Sequence, residues 1–115
     1  MDETIIFIKK TPYELIEKEI KTVEVRLFRG IFKNITDKTI LTFKNDSNKI
    51  TKKVKKIVLY DSFEELLSHE NIKETLPLVT NCEEGNLYYN NLYKNYNLKN
   101  FKVMAIHLVS PTTDM

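Results

Sequence analysis

The alternation of apolar and polar residues is clearest from Thr22 to Phe28 (TVEVRLF). Val23, Val25 and Leu27 fall on one side, and Thr22, Glu24, Arg26 and Phe28 on the other. That period of two marks a strand. Thr4 to Lys10 (TIIFIKK) is β-branched and aromatic and predicts an earlier strand. Between them, Thr11-Pro12-Tyr13-Glu14 predicts a helix start, with Thr11 as N-cap, Pro12 at the first helical position and Glu14 closing a capping box. Leu15, Ile16 and Ile20 give this helix an apolar side, and it is expected to end near Glu19 to Lys21.

Arg29 to Thr36 reads as a connection containing Gly30. Lys38 to Phe43 and Ile50 to Tyr60 read as two strands of a hairpin around the Asn45-Asp46-Ser47-Asn48 turn. Ser62-Phe63-Glu64-Glu65 is a second capping box, opening a helix with Phe63, Leu66 and Leu67 inward, and Pro77 breaks the region after it. Asn81 to Tyr93 predicts a third helix. Asn81 caps it, Glu83 and Glu84 suit its N-terminal dipole, and Leu87, Tyr88 and Leu92 share its apolar side. Phe101 to Val109 (FKVMAIHLV) is apolar on both faces and predicts a central, buried strand. Residues 110–115 read as a loose tail. The order β-α-β-β-β-α-α-β favours one α+β domain on a curved or barrel-like sheet over the β-α units of a parallel sheet.

The length of 115 residues suits one domain spanning 1–115, and 42% hydrophobic with 10% aromatic residues is too apolar for disorder. The single cysteine, Cys82, excludes an intramolecular disulfide. Met1 to Lys10 lacks the pattern of a signal peptide, and no apolar run approaches the roughly 18 residues of a membrane span. A cytoplasmic protein without a membrane partner is the expectation.

The formal charge of +2 conceals a bias: 16 Lys stand against 2 Arg. AT-rich coding would produce that bias; so would selection for phosphate binding. The run from Lys44 to Lys56 holds Lys49, Lys52, Lys53, Lys55 and Lys56. It reads either as an edge strand kept soluble by lysines or as a phosphate-tracking stripe, and no aromatic residue interleaves with it.

Several chemistries fall away. His69 and His107 lie far apart and Cys82 has no neighbour at ligand spacing, so no metal site and no cofactor is expected. His107, within an apolar strand, reads as a hydrogen-bonded structural histidine. Gly30 and Gly85 are isolated, which excludes a Gly-rich phosphate loop. The strongest constellation is Lys21-Thr22-Val23-Glu24-Val25-Arg26. Glu24 and Arg26 project from one strand face about 7 Å apart. From periodicity alone that is a solvated face with a weak ion pair; the alternative is a cleft in which Arg offers a donor fork, Lys a point charge and Glu an acceptor or base.

At this stretch the chain resembles the ASCH domain family, whose strand carries G-x-K-T-x-E/T-x-R. Here it stands as Glu19-Ile20-Lys21-Thr22-Val23-Glu24-Val25-Arg26. Pro12-Tyr13-Glu14-Leu15-Ile16, Asp37-Lys38-Thr39-Ile40, Tyr60-Asp61-Ser62-Phe63-Glu64-Glu65-Leu66-Leu67 and Phe101-Lys102-Val103-Met104-Ala105-Ile106 are similar to further family segments, in order. The resemblance implies a PUA-like β-barrel with flanking helices and a basic cleft for RNA or a nucleoside, single-stranded or modified. Lys21, Thr22, Glu24 and Arg26 would be the binding residues, with Tyr88, Tyr89 and Tyr93 as candidate stacking groups. The helix pattern itself puts Tyr88 in the core and the other two on the surface.

One branch of the family hydrolyses the amide of N4-acetylcytidine with a Lys, a Thr nucleophile and a Glu. Carried over, an amidohydrolase would use Lys21, with Glu24 at the Thr position as general base toward water, and Glu70 as the acidic partner. A ribonuclease, and a protein-interaction module in a transcription or translation assembly, are the other readings. Glycines of the family pattern are replaced by Glu19, Thr36 and Lys102, which marks a diverged member.

Overall fold

The computed structural model describes residues 2–112; the end of the expected tail, residues 113–115, lies outside them. The elements are β1 (Glu3–Phe7), α1 (Lys10–Glu17), β2 (Val23–Leu27), β3 (Ile40–Asn45), β4 (Asn48–Tyr60), α2 (Phe63–His69), α3 (Ile72–Thr75), α4 (Cys82–Leu92) and β5 (Val103–Val109). Short 3-10 turns occupy Gly30–Asn34 and Leu98–Asn100. The architecture is α+β, a five-stranded curled sheet with four helices.

The strand order is β1-β3-β4-β5-β2. β1 runs parallel to β3, and every other pairing is antiparallel. β5 lies between β4 and β2, which explains its apolar character on both faces. Each face carries its own core. Leu41, Phe43, Val54, Met104 and Ile106 pack with Tyr13 and Ile16 of α1. On the opposite face Val23, Val25, Leu27, Val103 and Ala105 pack with Phe63, Leu66 and Leu67 of α2 and Tyr89 of α4.

Local chemistry accounts for the helix boundaries. Ser62 Oγ accepts from the Glu65 amide at 3.0 Å, and Asn81 Oδ1 from the Glu84 amide at 2.8 Å, so both predicted caps are made. The cap at Thr11 is not. α1 begins two residues earlier, after Lys9, with no side-chain cap, because Lys9 already holds extended backbone and its carbonyl accepts from the Tyr13 amide. α1 ends at Glu17, and Glu19 follows with φ of 61°, the left-handed position that suits glycine. α3, not expected from the sequence, is capped by Asn71, whose side chain accepts from the Lys73 amide.

Two expectations are corrected. β4 is not an edge strand: residues 48–53 pair with β3 and 53–60 with β5, with a bulge between Val54 and Lys56. In α4 the inward residues are Gly85 and Tyr89, while Leu87, Tyr88 and Leu92 are exposed. Gly85 and Tyr89 are one helical turn apart. The first lets Leu67 close in, and the second stacks on Phe63 with ring centroids 4.8 Å apart.

Candidate functional site

β2 is held on one side only, by β5, and its start is pinned from outside the sheet. The Thr22 amide donates to the Glu74 carbonyl at 2.9 Å, and the Thr22 carbonyl accepts from the Leu108 amide at 2.8 Å. α3 therefore fixes the connection that carries Lys21 between α1 and β2, and where β2 begins. Thr75, at the end of α3, is fully buried, and its hydroxyl donates to the Asn71 carbonyl at 2.8 Å.

Lys21 is only 6% exposed. Its Nζ donates to the Val23 carbonyl at 2.7 Å and to the Thr75 carbonyl, and stands 3.6 Å from Oε1 of Glu24. Glu24 is equally buried, which overturns the solvated-face reading of β2. Its Oε2 accepts from Nε of Arg26 at 3.0 Å and lies 2.9 Å from an Arg26 terminal nitrogen. The carboxylate thus sits between two cations. Arg26 is partly exposed, and its guanidinium lies over the Phe32 ring, 5.1 Å from the centroid. Burial lowers the pKa of Lys21, while the charge of Glu24 and its hydrogen bond oppose the shift.

These three residues line one pocket of about 410 Å³. The pocket opens between the end of β1 with the start of α1 on one side and α4 with the Leu76-Pro77-Leu78 segment on the other. Its walls carry Phe7, Leu78, Tyr88, Tyr89, Tyr93 and Tyr96. Burial raises the pKa of Tyr89 and Tyr93, so their phenols stay neutral. The site is a charged floor under aromatic walls.

The sequence-predicted residues divide. Lys21, Glu24 and Arg26 converge with Tyr88, Tyr89 and Tyr93. Tyr88, expected in the core, is exposed on the wall, and Tyr89, expected at the surface, is buried. Thr22 does not line the pocket; its backbone ties β2 to α3 and β5. Glu70 also lies outside it. Its Oε2 accepts from the Tyr60 hydroxyl at 2.5 Å, and its Oε1 is 2.9 Å from Nε2 of His107, without hydrogen-bond alignment. Cys82 Sγ donates to the Leu67 carbonyl at 3.1 Å. Phe7, Phe32, Thr75, Leu78 and Tyr96 belong to the site or its support, yet only the exposed apolar character of some of them signals it, and sequence does not report exposure.

No helix among the described residues is long and apolar enough to cross a membrane. No family model and no curated protein matches the chain. Among solved structures it is similar to the hypothetical protein PH0355, at 31% identity over 94% of this chain and 97% of that one, with a TM-score of 0.83. It is also similar to protein PF0455 from Pyrococcus furiosus, at 28% identity over 96% of this chain and 99% of that one, with a TM-score of 0.78.

Proposed function

The chain belongs to the same family as the hypothetical protein PH0355, and we propose its function from the pocket: an ASCH-type module of PUA-like fold that binds RNA or a nucleoside. The observation that carries the reading is the convergence of Lys21, Glu24 and Arg26 at the floor of an aromatic-walled pocket of about 410 Å³. A planar base finds π-faces in Tyr88, Tyr93 and Tyr96, and an anionic group or base edge finds the donor fork of Arg26. The roles within the motif are unequal. Lys21 spends its protons on two backbone carbonyls and Glu24, so it fixes the carboxylate rather than reaching for phosphate. Glu24 in turn holds Arg26 on the Phe32 ring. Of the motif's two cations, Arg26 is the one left to meet a ligand.

No observation favours the hydrolase reading to the same degree. Its acidic partner, Glu70, is engaged by Tyr60 and His107, and Glu24 is the carboxylate among the pocket residues.

Calorimetric titration with nucleoside monophosphates and with a single-stranded RNA of about 12 nucleotides tests the proposal. Arg26→Ala is expected to weaken binding about 10- to 100-fold, the loss of a charge-assisted hydrogen bond. Equal affinity of wild type and Arg26→Ala, or no binding of either ligand class by wild type, overturns it.

A further inference from the structure

The lysine run of the β3–β4 hairpin takes no part in the pocket, and its place in the sheet gives it a different meaning from the one its sequence suggests. Leu41 and Phe43 of β3 and Val54 of β4 point into the core beneath α1. By alternation Thr42 and Lys44, and Lys49, Thr51 and Lys53, point outward. Side-chain contacts agree: the Thr42 hydroxyl donates to Oε2 of Glu3 at 2.7 Å and lies 3.4 Å from Oγ1 of Thr51. β1 extends this outward face, with Ile5 and Phe7 exposed on it.

Register then places Phe7 beside Lys44, and Lys44 opposite Lys49. Two ammonium groups directly opposite each other on neighbouring strands repel. Among the described residues neither they nor Lys53 has a carboxylate within ion-pair distance. The ion pairs are Lys21 and Arg26 with Glu24, Lys52 with Glu19, Lys102 with Asp61, and His107 with Glu70. Glu3, the acid on this face, stands in the row of Ile40 and Lys53, away from the Lys44–Lys49 pair. The run contains no aromatic residue of its own, but the parallel strand β1 delivers one to it: Phe7, 74% exposed. Phe7 also lines the rim of the pocket, so face and pocket are continuous through one side chain.

We propose that this outward face of β1, β3 and β4 is a second contact surface for single-stranded nucleic acid, with Lys44, Lys49 and Lys53 holding phosphates and Phe7 stacking a base on the path into the pocket. The proposal rests on the nucleic-acid reading of the pocket. An unpaired lysine row beside an exposed aromatic ring is the combination that single strands need: point charges for the backbone and a π-face that any base can use.

The test is fluorescence anisotropy of a labelled single-stranded RNA of about 12 nucleotides across a salt series, on the full chain. The triple variant Lys44→Gln/Lys49→Gln/Lys53→Gln is expected to weaken RNA binding at least about tenfold at low salt. It should also reduce the slope of log affinity against log salt by about 2, the single-strand value for three phosphate contacts. Mononucleotide binding stays at the wild-type level. Phe7→Ala is expected to lose about five- to hundredfold in RNA affinity with the slope unchanged. An unaltered slope in the triple variant overturns the proposal. So does an equal loss of RNA and mononucleotide binding, or binding of wild type to anionic phospholipid vesicles but not to RNA. The pocket reading fails separately, on Arg26→Ala with a mononucleotide.

Discussion

Glu24→Gln isolates what the carboxylate does for the interior of the pocket. The substitution keeps the side chain's shape and removes its charge, so Lys21 remains buried beside a neutral amide. Breaking a buried ion pair from one side costs about 3–5 kcal/mol. Two features soften the loss here. Lys21 keeps the carbonyls of Val23 and Thr75, and Arg26 has solvent to turn to. The expected loss is therefore at the low end, about 3 kcal/mol. With a urea m-value of about 1.5–2 kcal/mol/M, the unfolding midpoint falls by about 1.5–2 M.

The pH dependence has a definite sign. The pKa of Lys21 is lowered in the folded chain, so the unfolded chain binds more protons, and stability rises with pH toward the unfolded lysine value of about 10.4. Removing Glu24 deletes the influence that opposes the lowering, so the rise becomes larger and starts at lower pH. The gap between variant and wild type is expected to narrow from neutral pH to about pH 9.5. Urea unfolding followed by circular dichroism at both pH values measures it. A midpoint equal to wild type at neutral pH, or a gap that is constant or widens with pH, refutes the reasoning. Lys21→Met/Glu24→Gln should recover most of the loss, since no charge is then buried without a partner.

Two further outcomes test the local structure. Burial, with the hydrogen bond to Glu70 second, pushes the Tyr60 hydroxyl up to about 12, so in an ultraviolet titration it ionises after exposed tyrosines; Glu70→Gln should bring it part of the way down. Asn81→Ala removes the cap of α4 and is expected to cost about 1 kcal/mol, or about 4 °C in Tm, while Thr11→Ala stays within about 0.5 kcal/mol because α1 starts without a side-chain cap.

What the chain declares about itself is local. Strict alternation at Val23 to Leu27 is enough to place a strand, and Ser62 and Asn81 are enough to start two helices, because caps and periodicity act over a few residues. The burial of Glu24 is not local. It depends on α3 and α4, some fifty or more residues downstream, folding over a strand whose own pattern reads as half solvated. The same holds for α4. It carries two apolar surfaces, one with Gly85 and Tyr89 for the core and one with Tyr88 and Leu92 for the pocket wall, and periodicity reports apolar positions without saying which surface meets the core. Glu19 shows a third limit. The left-handed backbone there explains why glycine suits the position, but the glutamate that stands in its place pairs with buried Lys52 at 3.2 Å, a compensation 33 residues away in sequence.

The position of β5 sets the order in which this protein can be made. β2 carries Glu24 and Arg26, and its partner in the sheet is the last of the five described strands to be synthesised. Chains are released from the ribosome N-terminus first. The hairpin of β3 and β4 can close early around a two-residue turn, and β1 can dock on it, while β2 must wait with its ladder unpaired until residues 103–109 slide in between β4 and β2. A nascent or truncated chain that ends before Val103 can pair β1, β3 and β4 but leaves β2 without a sheet partner, so the pocket floor is set only when β5 inserts.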